Sequence, residues 1–339
     1  MPRHSIVYFA GSCIAIAAFE LFGFAMNGMQ LIAFAALLIA LLGVPHGGLD
    51  HWAGRRLLVQ HVGHRWPLVF FPGYLLIAMA VAVLWVSVPR LAIVAFFVVS
   101  AWHFGREENR YRSAVSNIAQ GGLVIWSASL FRPEEMSVIL NATLVSSEPM
   151  AAVEIITVTR WIAAFLLPMG IVFSFLDLLH AKVEGSTDRG DRLALSSMSA
   201  KVGGDAKRTA SYFASIVVPM VIVLVTAFTP ILFSFTYYFC FWHSWLGLKR
   251  LREEEQLSPW RFFVAVLPLS VLAVALVIVI GLLAGGMSIE GINQSRSLQL
   301  TFIGLASIAV PHILLHEIGP SFQGRMSSSS EIERSEAYT

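Results

Sequence analysis

Four histidines, His46, His103, His243 and His312, each sit roughly 12–16 residues into an apolar run of membrane-spanning length. At a rise of about 1.5 Å per helical residue they share one depth. A ring nitrogen is costly in hydrocarbon and marks a functional site by default. An isolated intramembrane histidine ordinarily serves as a helix–helix hydrogen-bonding residue. Four at matched depth on separate segments instead predict a metal-binding layer inside a helix bundle. Imidazole suits zinc, copper and iron, and no sulfur or carboxylate is expected at the same depth, which argues against magnesium and calcium.

The surrounding residues refine that chemistry. His46 lies in Gly43-Val44-Pro45-His46-Gly47-Gly48-Leu49-Asp50-His51, where Pro45 frees a carbonyl one turn back and the glycines let the backbone bend. His103 lies in Trp102-His103-Phe104-Gly105, His243 in Phe241-Trp242-His243-Ser244-Trp245, and His312 in Pro311-His312 with His316-Glu317 following. The expected ligand set is His46, His103, His243 and His312, with His316 and His51 as alternates one turn away. Asp50, Ser244 and Glu317 are candidates to orient the rings through their second nitrogens. Trp102, Phe104, Tyr238 and Trp242, with Tyr237, Phe239, Phe241 and Trp245 nearby, are either interface anchors or the wall of a site for a long unsaturated molecule. Cys13 and Cys240 read as separate thiols rather than a bridge.

Those residues need a membrane scaffold to hold them. The 339 residues are 57% hydrophobic and 13% charged, with a mean hydropathy of +0.73, which excludes an ordinary soluble domain. The fold class is all-α: a polytopic transmembrane bundle of about ten spans (eight to ten), near 5–26, 30–50, 67–88, 91–106, 115–131, 160–181, 212–229, 231–250, 262–284 and 298–318. Positive charge orients it. With both termini cytoplasmic, all but Arg90, Arg132, Arg160 and Arg296 of the 23 Lys and Arg residues fall on the cytoplasmic side. All four histidines then lie in the cytoplasmic half of outward-to-inward spans. Residues 1–320 are expected to form a single integral-membrane domain in the inner (plasma) membrane. Residues 182–211 read as a cytoplasmic loop and 321–339 as a disordered tail. Part of 132–158 is expected to form a short interfacial helix.

The motifs Pro45-His46-Gly47 with Asp50, Trp102-His103-Phe104-Gly105 and Tyr238-Phe239-Cys240-Phe241-Trp242-His243-Ser244 resemble the Brp/Blh family of bacterial and archaeal membrane proteins, which are β-carotene 15,15′-dioxygenases. The resemblance runs from the second span to the tenth. It implies a non-haem iron(II) enzyme that cleaves the central double bond of β-carotene with O₂ to give retinal, which passes to a rhodopsin. His46, His103 and His243 match the family's iron-ligand histidines. The chain departs from the family at Gly247, where the third motif usually carries a second histidine; His312, then His316, are the replacements.

Rival classes make different demands. A haem or metal protein of electron transfer or transport would need opposed axial histidines or a hydrophilic path. A membrane di-iron hydroxylase would need more paired histidines than the six plausible ones present. There is no Walker loop, no dinucleotide fingerprint and no basic-aromatic patch, so no nucleic-acid partner is expected.

Overall fold

The structure, a computed structural model, describes residues 3–21, 28–108, 113–144, 150–191, 217–284 and 294–336. Every regular element among them is helical, in line with the all-α expectation. The order is α1 (Arg3–Glu20), α2 (Gly28–Leu38), α3 (Asp50–Val62), α4 (Trp66–Ser87), α5 (Pro89–Glu108), α6 (Ala114–Gly121) and α7 (Leu123–Phe131), then α8 (Pro133–Thr143) and α9 (Ala151–Asp191). Helix α10 (Val217–Phe228) precedes α11 (Ile231–Tyr238), α12 (Trp245–Glu254), α13 (Pro259–Ala284) and α14 (Gln294–Glu336).

Among the described residues, four helical stretches are long and apolar enough to cross a membrane: Gly28–Ser87, Ala151–Phe173, Pro259–Ile278 and Gln294–Glu317. The pair α6–α7, bent by 54°, makes a fifth if it counts as one span. The chain is thus a helical protein with several helices able to span a bilayer. Helix α8 occupies the stretch expected to hold a short helix. Helix α9 runs to Asp191, into the expected loop, and α14 stays helical to Glu336, through the segment expected to lack structure. Residues 192–211 and 337–339 lie outside the described residues.

The chain packs as two compact units, although no break in composition separates them. The first comprises Met1–Ala35, Val94–Asn141 and Ser147–His243; the second comprises Ala36–Ile93, Ala142–Ser146 and Ser244–Thr339.

In the first unit α5 lies against α6 through glycine. A Cβ on Gly105 would collide with the backbone of Asn117, and one on Gly121 would collide with the Ala101 carbonyl and the Gly105 nitrogen. Small residues are what permit helices in a bilayer to approach this closely. Ser113 caps α6 by accepting from the Ser116 amide at 3.2 Å. Helix α11 starts after Pro230, and the Glu135 carboxylate of α8 accepts from the Ile231 amide at 2.8 Å. That bond satisfies one of the amides a helix start leaves open.

In the second unit Gly54 of α3 sits against the Phe70 ring of α4, and Trp85 of α4 donates its indole N–H to the Thr143 carbonyl at 3.0 Å. Arg56 of α3 pairs with Glu255 just after α12. A π-helical turn, Ile39–Gly43, ends α2 and passes into a 3₁₀ turn, Val44–Gly47, that begins next to Pro45. A second π turn, Phe239–Ser244, joins α11 to α12. Such turns interrupt the 3.6-residue register and recur at functional sites.

Candidate metal centre

The four histidines sit at helix interruptions or on α5 and α14, and all four are buried. Two belong to the first unit. His103 projects from α5 and His243 from the π turn, with ring centroids 5.4 Å apart. A third group joins them. Glu107, one helical turn beyond His103, places Oε2 3.3 Å from His103 Nε2 and 3.2 Å from His243 Nε2. The expectation of no carboxylate at this depth is therefore corrected. Residues four apart share a helix face, so the acid that ends α5 points back to the imidazole. It lies in the polar run Arg106-Glu107-Glu108, just past the end of the expected apolar segment at 106.

The wall of this centre is aromatic. The Phe104 ring meets His243 edge-on at 4.5 Å, Phe239 stacks on it at 5.8 Å, and Tyr238 lies 6.4 Å away while contacting Phe104 at 5.5 Å. Phe104 and Tyr238 both lie against His243. Trp242 points elsewhere: it stacks on His4 at 5.2 Å and meets Tyr8 at 5.1 Å, both on α1. Tyr237 likewise stacks on Tyr8 at 5.1 Å and donates to its carbonyl at 3.0 Å. These two aromatics hold α1 against α11 and its π turn, each such pair contributing about 0.5–1.5 kcal/mol beyond area burial. Trp102 carries the Arg106 guanidinium 5.9 Å above its ring. Cys13 and Cys240 are both free thiols.

The second unit holds its own cluster. His46, on the 3₁₀ turn, and His312, on α14, have ring centroids 4.9 Å apart. Asp50, the first residue of α3, lies 2.9 and 3.0 Å from His312 Nδ1 through its two carboxyl oxygens and 3.5 Å from His316 Nε2. The Tyr74 hydroxyl of α4 is 2.9 Å from Asp50 Oδ2 and 3.2 Å from the Ile308 carbonyl of α14. Gly47 leaves room for this arrangement, since a Cβ there would stand 3.3 Å from Asp50 Oδ2 and 3.4 Å from His312 Nδ1. Asp50 thus touches His312, and Tyr74 is a partner the sequence did not suggest. His316 has a side chain 45% exposed. His51 joins neither cluster among the described residues. Ser244 is fully buried, with no hydrogen-bond partner for its hydroxyl among the described residues, and Glu317 is half-buried beside His316. Gly247 is buried on α12, and no imidazole stands there.

The donor sets fit a metal ion. The donor atoms of His103, Glu107 and His243 lie within 4.8 Å of one another, as do those of Asp50, His312 and His316. Two donors each about 2.1 Å from one ion stand about 3.0–3.4 Å apart at octahedral or tetrahedral angles. Glu107 Oε2 has that spacing to both histidine nitrogens. Two imidazoles and one carboxylate are also the set that holds non-haem iron(II) with positions left open.

The family model described as β-carotene 15,15′-dioxygenase matches residues 37–318, which include every residue of both clusters. The chain belongs to that family. It is 23% identical over 308 residues to a β-carotene 15,15′-dioxygenase from the uncultured marine bacterium 66A03, covering 85% of this chain and 94% of that protein. No solved structure matches the chain. The match to the dioxygenase family begins just before the π turn that leads to His46 and ends just after Glu317.

Proposed function

We propose that this protein is a membrane-embedded non-haem iron dioxygenase that cleaves the central 15,15′ double bond of β-carotene, or of a closely related carotenoid. The reaction consumes one O₂ and places one oxygen atom on each of two retinal molecules. The observation that carries this reading is the match to the dioxygenase family across residues 37–318, which takes in both carboxylate–histidine clusters.

Iron(II), when bound, supplies the means of activating O₂. The expected ligands are His46, His103, His243 and His312, a quartet that rests on the order and depth of the motifs along the chain. Phe104, Tyr238 and Phe239 pack an apolar wall round His243 and keep water from it. A hydrocarbon polyene offers no charge to recognise, so apolar walls and positioning are what such a substrate requires. Asp50 holds His312 by Nδ1, which fixes the tautomer and leaves Nε2 with a lone pair. The product retinal would pass to a rhodopsin.

Co-expression in a β-carotene-accumulating bacterium tests the activity: bleaching with retinal formation is expected, and persistent orange colour with normal membrane levels of the protein would refute it. Iron content tests the quartet. Each of His46→Ala, His103→Ala, His243→Ala and His312→Ala should lose the single bound iron. Retention of iron by any one of these variants would remove that histidine from the ligand set.

A further inference from the structure

We infer that Glu107 is itself a ligand of the metal, so that a carboxylate oxygen joins the imidazoles of His103 and His243 rather than imidazoles acting alone. The inference rests on the reading that this chain holds iron(II), and it concerns only which atoms do so.

Geometry separates a ligand from an orienting partner. A carboxylate that merely orients an imidazole accepts its N–H in a charge-assisted bond of about 2.7–2.9 Å. Glu107 does not show that spacing. Its single Oε2 atom stands 3.3 Å from His103 Nε2 and 3.2 Å from His243 Nε2, longer than such a bond in both directions. An oxygen at these distances from both nitrogens, with all three donor atoms within 4.8 Å of one another, can share one ion with them at ordinary bond lengths. The three side chains come from places that leave little freedom. His103 and Glu107 share one face of α5, and His243 is fixed in the π turn by Phe104 and Phe239. Glu107 has a side chain 18% exposed, against 6% and 2% for the two histidines, so it closes the outer side of the set.

An anionic oxygen changes what the centre can be. It offsets part of the charge of a divalent ion in a low-dielectric surrounding, where the uncompensated charge would be costly. It also favours iron(II) and other ions that accept oxygen over those that prefer nitrogen and sulfur alone.

The full-length protein, purified in detergent without oxygen and loaded with iron(II) or cobalt(II), provides the test. Metal content and the cobalt d–d absorption are read for the wild type, Glu107→Gln and Glu107→His. Removal of an orienting partner costs about 10–100-fold in metal affinity. Loss of a ligand should exceed that in Glu107→Gln and shift the cobalt spectrum, while Glu107→His should recover metal with a third, distinct spectrum. A Glu107→Gln protein with wild-type affinity and an unchanged cobalt spectrum overturns the assignment. A wild type that takes up neither ion overturns the iron reading beneath it. If the variants do not fold, metal-induced infrared difference spectra of wild type carrying ¹³C-labelled glutamate decide the matter. A ligand carboxylate shifts both of its stretching bands on metal loading, and no such shift means that Glu107 stays outside the coordination shell.

Discussion

Each unit sets one carboxyl group against two imidazoles, and the spacing gives the two carboxyl groups different work. Around Glu107 the separations are 3.2 and 3.3 Å and both imidazoles face one oxygen. Around Asp50 they are 2.9 and 3.0 Å to a single His312 nitrogen, with Tyr74 filling the other side at 2.9 Å. The first carboxyl group stands at the spacing of a metal ligand; the second is already held by its own hydrogen bonds. Metal-free stability should therefore distinguish them. Asp50→Ala strips a buried carboxyl group from a hydrogen-bonded imidazole and should cost about 3–5 kcal/mol. Glu107→Ala in the same metal-free protein should cost far less, and the gap should narrow when metal is added, because Glu107 gains its bond only from the ion. Thermal unfolding in detergent with and without iron(II) measures both; equal losses in the metal-free state would erase the distinction.

The glycines beside the clusters sharpen the same contrast. Gly105, two residues from His103, has the Asn117 backbone where a Cβ would go, and a backbone cannot swing aside. Gly105→Ala should push α5 from α6 and cost about 3 kcal/mol, the upper end of overpacking penalties. Gly47→Ala meets only the ends of the Asp50 and His312 side chains, at 3.3 and 3.4 Å, and should cost about 1 kcal/mol or less. A larger loss for Gly47→Ala than for Gly105→Ala would mean that the second cluster, not the helix contact, is the rigid element.

How far the sequence revealed this depends on the range of each interaction. The histidines were legible because depth along a helix is a local property, and Asp50 because it lies one turn from His46. Glu107 was equally local, four residues from His103, but it lies past the apolar run that ends near 106, among the charges of Arg106 and Glu108. Tyr74 could not have been found, since its second partner, Ile308, is 234 residues away. Trp242 was assigned to the wrong side for a different reason. The π turn Phe239–Ser244 adds a residue to one turn, so the side chains around it no longer follow a 3.6-residue wheel, and Trp242 faces α1.

Tyr74 offers a finer probe of the closed cluster. Its hydroxyl bridges Asp50 of α3 and the Ile308 carbonyl of α14. Tyr74→Phe keeps the ring against Phe70 at 5.6 Å and removes only the hydroxyl. The expected loss is about 1.5 kcal/mol, the low end for a hydrogen bond to a carboxylate. Metal affinity in the first cluster should not change. A Tyr74→Phe protein with wild-type stability would show that Asp50 is held by His312 alone.

The smallest effect expected concerns how the first cluster is aimed. Glu135 accepts from the Ile231 amide at 2.8 Å and sits 3.2 Å from the Arg132 side chain, so a carboxylate anchored on α8 meets the start of α11. Helix N-termini favour negative charge by about 0.3–1 kcal/mol. Glu135→Gln keeps an acceptor for the amide but removes the charge, and should cost about 0.5 kcal/mol; Glu135→Ala removes the cap as well and should cost about 1 kcal/mol. Because α11 leads without a break into the π turn that carries His243, a loosened start should also weaken metal binding in the first cluster. The closed cluster around Asp50, which takes no residue from α11, should keep its stability. A matched loss in both clusters would show that the cap serves the whole bundle rather than the aim of one imidazole.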